Sequence, residues 1–162
     1  MSTKAQYQIL FAYQNHTMQR LIACAAQLDD TAYREHPGFG HGSLHDLFLH
    51  LLAASRMWRT VLVMGKRPSR LDRDSFPDLP SLQAGFAEEE AGWQAYVGQL
   101  SEEEVGATVT LPRPGGEQHV IPRWRILQHL ILHGMQHAAE VAHLLTLKDQ
   151  SPGDIDFIFF DQ

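Results

Sequence analysis

Gln128-His129-Leu130-Ile131-Leu132-His133-Gly134-Met135-Gln136-His137-Ala138-Ala139-Glu140 carries a histidine at every fourth position. On an α-helix four residues advance about 6 Å and return to within roughly 40° of the same direction, so His129, His133 and His137 form one row. Leu127, Leu130, Ile131, Gly134, Ala138, Val141, Ala142 and Leu145 recur at helical spacing and define an apolar face beside that row. The row therefore lies on the edge of a buried face, where a side chain is partly enclosed and still reaches an open cavity. Imidazoles at i and i+4 converge on a shared point, so either adjacent pair, 129/133 or 133/137, can grip one metal ion. Such pairs also arise by chance in a chain with ten histidines. A metal site needs a third ligand, and the rest of the chain has to supply it.

The chain is 162 residues long, which predicts a single domain, 1–162, with a real core. Its net charge of −6 argues against nucleic-acid binding, which relies on basic patches that displace counterions. One cysteine, Cys24, excludes an intramolecular disulfide and a cysteine-based zinc site; its apolar helical setting predicts a buried, inert thiol. Met1-Ser2-Thr3-Lys4-Ala5-Gln6 has no apolar signal core, and no stretch is read as membrane-spanning, so a cytoplasmic protein with no membrane partner is expected.

Residues from about 4 to 28 read as a first helix, with Ile9, Leu10, Tyr13, Thr17, Leu21, Ile22, Ala25 and Leu28 as its stripe. A short turn at 31–35 and the glycine- and proline-rich loop His36-Pro37-Gly38-Phe39-Gly40-His41-Gly42-Ser43 follow. Ser43 is a plausible N-cap for a second helix that Gly65 stops. The buried face of that helix is Leu44, Leu47, Leu51, Ala54, Trp58, Val61 and Leu62. His50 lies at its margin, about 80° from the centre at roughly 100° per residue, and His45 is expected to point toward water. A polar loop with Pro68, Pro77 and Pro80 leads to a third helix at about 81–100, with Glu88-Glu89-Glu90 read as solvated surface. Alternation at 107–111 and 118–121 predicts a small β-hairpin or extended insertion, its turn formed by 112–117. Pro122 then suits the start of the last helix. The apolar tail 151–160 is expected to pack on the helices or serve a partner interface. These elements predict an all-α fold, an up-and-down-type four-helix bundle with one insertion before the last helix. Bundles build metal sites from side chains on facing helices.

Two segments resemble the DinB/YfiT-like family of bundle metalloenzymes. One is Leu44-His45-Asp46-Leu47-Phe48-Leu49-His50-Leu51-Leu52-Ala53-Ala54-Ser55-Arg56-Met57-Trp58, a histidine in a leucine-rich second helix followed by tryptophan. The other is His129-Leu130-Ile131-Leu132-His133-Gly134-Met135-Gln136-His137, and Tyr13-Gln14-Asn15-His16-Thr17-Met18-Gln19-Arg20-Leu21 is similar to the family's first helix. The resemblance implies His50, His133 and His137 as metal ligands and makes His129 a neighbour. Family members read His-His-Arg-Gly-Gln at the end of the motif, whereas this chain reads Gln136-His137-Ala138-Ala139-Glu140. The ligand histidine is kept, and the adjacent histidine and the arginine are missing. Glu140 lies one turn beyond His137 on the same edge, as a carboxylate that orients a ligand histidine, a catalytic base, a further ligand, or simply a solvent-facing glutamate.

A three-histidine site leaves open positions on a divalent ion, which favours catalysis or small-ligand binding. Imidazoles suit zinc, nickel, iron(II) or copper, with zinc or nickel expected first. The resemblance implies a thiol S-transferase-type activity in which a metal-activated low-molecular-weight thiol attacks a small electrophile. Two other readings stay open, a metal-dependent hydrolase and a non-catalytic metal-binding bundle. The resemblance and the apolar tail together imply a homodimer.

Overall fold

The computed structural model describes residues 2–112 and 118–160. Four long helices carry the fold: α1 (Thr3–Ala25), α3 (Leu44–Met64), α4 (Leu79–Gln99) and α6 (Arg123–Thr146). Between them lie two short helices, α2 (Asp30–Arg34) and α5 (Glu102–Gly106), and an antiparallel pair, β1 (Thr108–Pro112) and β2 (Gln118–Pro122). The expected all-α bundle with a two-stranded insertion before the last helix is therefore present. The hairpin is in register Thr108↔Pro122 through Pro112↔Gln118. Of its expected turn, 112–117, Pro112 ends β1 and residues 113–117 lie outside the described residues.

Local chemistry sets the helix ends. Ser2, Asp29, Ser43, Asp78 and Ser101 each cap a helix through a side-chain oxygen that accepts a backbone N–H. Ser43 and Asp46 form a reciprocal capping box, and Gly65 ends α3 in the left-handed region at φ 65°. α4 begins two residues earlier than the sequence predicts, because proline is tolerated in a helix's first turn. α1 stops at Ala25 rather than near 28: Gln27 and Leu28 bond three residues back, which tightens the last turn out of α geometry. Pro122 closes β2 and serves as the N-cap position of α6.

The long helices pack in a ring, α1 against α4 and α6, and α3 against α4 and α6. Consecutive α1 and α3 thus stand diagonally, and the segment 26–43, with α2 and the glycine loop, spans that diagonal. The apolar interior falls into two clusters. One gathers Leu21, Phe48, Leu52, Leu82, Val141 and Leu145; the other gathers Tyr7, Trp93, Val97, Ile126, Leu127 and Leu130. α3 is long and apolar enough, by length and composition alone, to cross a membrane, which the sequence reading did not anticipate. Here it is a bundle helix packed against α2, α4 and α6.

Two polar residues expected at the surface are buried. His45 is 3% exposed, because α2 folds over the first turn of α3 and sets the Tyr33 hydroxyl 3.3 Å from His45 Nδ1. A helical wheel of α3 alone contains no α2. Glu89 is 2% exposed; Arg59 grips it with Nε to Oε2 at 2.8 Å and Nη2 to Oε1 at 2.8 Å, and Arg56 Nε donates to Oε1 at 3.2 Å. Cys24 is half-buried against the first cluster rather than fully enclosed. The tail packs on α1: Tyr13 donates to the Ile155 carbonyl at 2.6 Å, Arg20 donates to the carbonyls of Pro152 and Asp154, and Phe157 sets its edge on Tyr13. Ile158 and Phe159 remain exposed.

Candidate metal centre

α3 and α6 meet along the edge that carries the histidines. Ring centroids of His50 and His137 stand 4.7 Å apart, His50 and His133 5.1 Å, and His133 and His137 4.5 Å. The three residues named by the resemblance are therefore neighbours in space. A fourth imidazole joins them. His41, from the diagonal loop, stacks on His50 at 4.8 Å and meets His137 edge-on at 4.6 Å. Among the described residues, His41, His50 and His137 form the trio whose ligand nitrogens all lie within 4.8 Å of one another. His133 flanks that trio. His129 is exposed and stands outside it, stacked on His133 at 5.4 Å and against Trp58 at 5.6 Å.

His41 was missed by the sequence reading because it sits in an irregular loop, where no periodicity assigns a face. A weak signal existed: a histidine between two glycines, two residues before a helix cap. Gly42 is required there. Its φ is 110°, and a Cβ would stand 2.7 Å from Asp46 Oδ2, the carboxylate of the α3 capping box.

Burial and neighbouring imidazoles favour the neutral forms of His133 and His50. Burial first, then the neighbouring His137, His50, His129 and His41, push His133 down from 6.5 to about 4. His50 is lowered by burial, then by His137 and His41, with Glu140 opposing. His137 is 2% exposed, and its Nδ1 pairs with Glu140 Oε2 at 3.0 Å. A carboxylate there makes Nδ1 the protonated nitrogen and leaves the Nε2 lone pair free to bind a metal. His50 Nε2 is buried with no hydrogen-bond partner among the described residues. A buried unpaired nitrogen costs about 1–3 kcal/mol, so its persistence beside other neutral imidazoles fits a bound cation. The donor set, borderline nitrogen ligands from two helices and a loop, suits a divalent transition metal.

Next to the cluster, between α1, α3, α4 and α6, lies a cavity of ≈ 80 Å³. His133 and Gly134 form one wall; Phe11, Met18, Leu51 and Trp93 form much of the rest, with Gln14 and Glu89 among its polar groups. Gly134 admits Gln14, whose Nε2 donates to the Leu130 carbonyl at 3.0 Å; a Cβ at 134 would overlap that nitrogen at 1.6 Å. Void space in a bundle interior sacrifices packing, and a concave apolar site with a few convergent polar groups is the usual form of a small-molecule pocket.

The lowered histidines set a pH dependence for the metal-free fold. His133, His50 and His45 all have folded pKa values below their unfolded value. The unfolded chain then binds protons that the fold refuses, so stability is complete above about pH 6.5 and falls as pH drops through the window toward about 4. In chelator, the urea midpoint should decline steadily from pH 7 to pH 5. His133→Gln should flatten that decline, and an unchanged slope would remove His133 as a contributor.

The family model described as the DinB superfamily matches residues 14–141, which span both histidine-bearing helices and the loop between α1 and α3. No curated protein matches the chain. The family match and the histidine cluster are compatible with a metal-dependent enzyme.

Proposed function

Because the chain belongs to the DinB superfamily, we propose that it is a metal-dependent enzyme of the thiol-transfer class, with His50, His133 and His137 as metal ligands. The observation that carries this reading is the buried Nε2 of His50, which has no hydrogen-bond partner among the described residues, amid converging imidazoles and beside a largely apolar cavity. A divalent ion held there, zinc or nickel first and iron(II) next, supplies the Lewis acidity that makes a thiol ionise near neutral pH.

The chain's own groups do the remainder. His133, with a pKa of about 4, offers a lone pair without first losing a proton. Glu140 accepts from His137 Nδ1–H and so fixes the ring's tautomer and direction. The apolar wall of Phe11, Met18 and Leu51 offers a surface for the apolar part of a small substrate. Glu140 is 39% exposed, so a proton taken up at its carboxylate passes directly to solvent. The thiol sulfur then bonds to the carbon of a small electrophile, and the leaving group departs with the bonding pair. The missing arginine of the family motif implies a thiol recognised without that cation. A cytoplasmic setting and a homodimer formed through Ile158 and Phe159 belong to the same proposal, and light scattering on an Ile158→Ser, Phe159→Ser variant tests the dimer.

Metal analysis of untagged protein, followed by a screen of low-molecular-weight thiols with electrophiles, tests the function. Chelator-sensitive turnover that requires thiol supports it. Turnover without thiol assigns a hydrolase instead, and metal without turnover assigns a non-catalytic bundle. Glu140→Gln has a separate expectation: one ion per chain is still bound, with affinity lower by about 10–100-fold, as for other groups that orient a ligand histidine. Competition with a chelator of known affinity reads this, and undiminished affinity would show that Glu140 does not support His137.

A further inference from the structure

We propose that His41 is a displaceable fourth ligand, which closes the ion's free position at rest and yields it to the substrate's donor atom. The inference rests on the metal site proposed above and adds a loop residue to it. His41 belongs to the tightest nitrogen trio in the described structure, with ligand atoms within 4.8 Å of those of His50 and His137. Its ring centroid stands 4.8 Å from that of His50, whose buried Nε2 has no hydrogen-bond partner among the described residues.

His41 differs from the other three in ways that make it the ligand that leaves. It is exposed, whereas His50 is half-buried and His137 is 2% exposed. His50, His133 and His137 ride on long helices; His41 rides on a loop between Gly40 at φ 66° and Gly42 at φ 110°. The loop is anchored just after His41, where Ser43 begins the capping box of α3 and Asp46 also pairs with Arg73. A rotation about Gly40 and Gly42 would withdraw the ring without unfolding a helix. Four protein ligands make a closed, structural type of zinc site, while catalysis needs an open position. An exposed loop ligand reconciles the two: the ion is saturated and unreactive until a better donor, such as a thiolate, takes the place of imidazole. In this exchange the metal–nitrogen bond to His41 would break, a metal–sulfur bond would form, and the thiol S–H proton would leave to solvent.

Cobalt(II) substitution tests this without relying on turnover. Wild-type protein loaded with one equivalent should show the intense visible absorption of a four-coordinate ion. His41→Ala should bind one equivalent and lose most of that intensity as water raises the coordination number, and added imidazole should restore it. Because His41 is exposed, this variant is expected to fold, and circular dichroism verifies that. An identical spectrum and an identical imidazole response in the two proteins, each holding one cobalt, would overturn the role of His41 and leave the metal site standing. Failure of the wild-type protein to bind cobalt would overturn both.

Discussion

Purified His50→Ala, His137→Ala double variant should contain no stoichiometric metal, whereas wild-type protein should carry one ion per chain. His50 and His137 are the two residues shared by the trio of the family resemblance and by the tight trio with His41. Removing both leaves His41 and His133 as the remaining imidazoles of the cluster, and two ligands fall short of the three that a catalytic site retains. The fold should survive. Neither side chain belongs to the two apolar clusters, and taking away His50 also removes a buried nitrogen with no hydrogen-bond partner among the described residues. Elemental analysis after dialysis against chelator reads the result, with far-ultraviolet circular dichroism as the control for folding. Full metal content in the folded double variant would place the ion elsewhere. His133→Ala alone is a sharper question, since His133 flanks the tight trio rather than belonging to it. With His41, His50 and His137 still in place, metal affinity should fall rather than vanish, and undiminished affinity would remove His133 from the ligand set.

Glu89→Ala should destabilise the protein by about 3 kcal/mol, near the lower end of the 3–5 kcal/mol seen when one partner of a buried ion pair is removed. Glu89 is the buried hub between α3 and α4, held by both nitrogens of the Arg59 fork and by Arg56. The arginines keep 28% and 26% of their side chains exposed, so once freed they turn to water, which holds the loss below the maximum. Glu89 lowers the free energy of the charged form of Arg59, whose pKa is raised first by that hydrogen bond. Gly92 is part of the same device. A Cβ there would stand 2.6 Å from Arg59 Cζ, so the absence of a side chain lets the guanidinium lie against α4. A loss of about 3 kcal/mol corresponds to a melting point lower by roughly 6–12 °C in a chain of this size. Calorimetry of wild type and variant decides it, and a shift under 2 °C would mean that the ion pair contributes almost nothing net. Because Glu89 also lines the cavity, the variant should be examined with and without metal.

Much of the site is legible in the sequence. The i, i+4 histidines of α6 and the margin position of His50 on α3 follow from helical periodicity, which depends only on the residues of one helix. The capping residues Ser43 and Gly65 are equally local, and they set the span of α3 correctly. Two readings that depended on a second element were overturned. His45 was assigned to water because its own helix turns it away from the core, yet α2 covers it and the Tyr33 hydroxyl meets its ring. Glu89 was read as one of three solvated carboxylates, although its neighbours across the α3–α4 contact are two arginines.

By itself, the sequence determined four amphipathic helices, a hairpin insertion and a row of histidines on a rim, because backbone geometry repeats identically along a helix. Tertiary structure decided which histidines converge. The ring of helix contacts places α1 and α3 on a diagonal, and the loop that crosses it carries His41 onto His50 and His137. It also decided which charges lie inside, since a carboxylate is buried only where another helix brings cations to it. Convergence and burial are relations between elements distant in the chain, and no periodicity within one element encodes them.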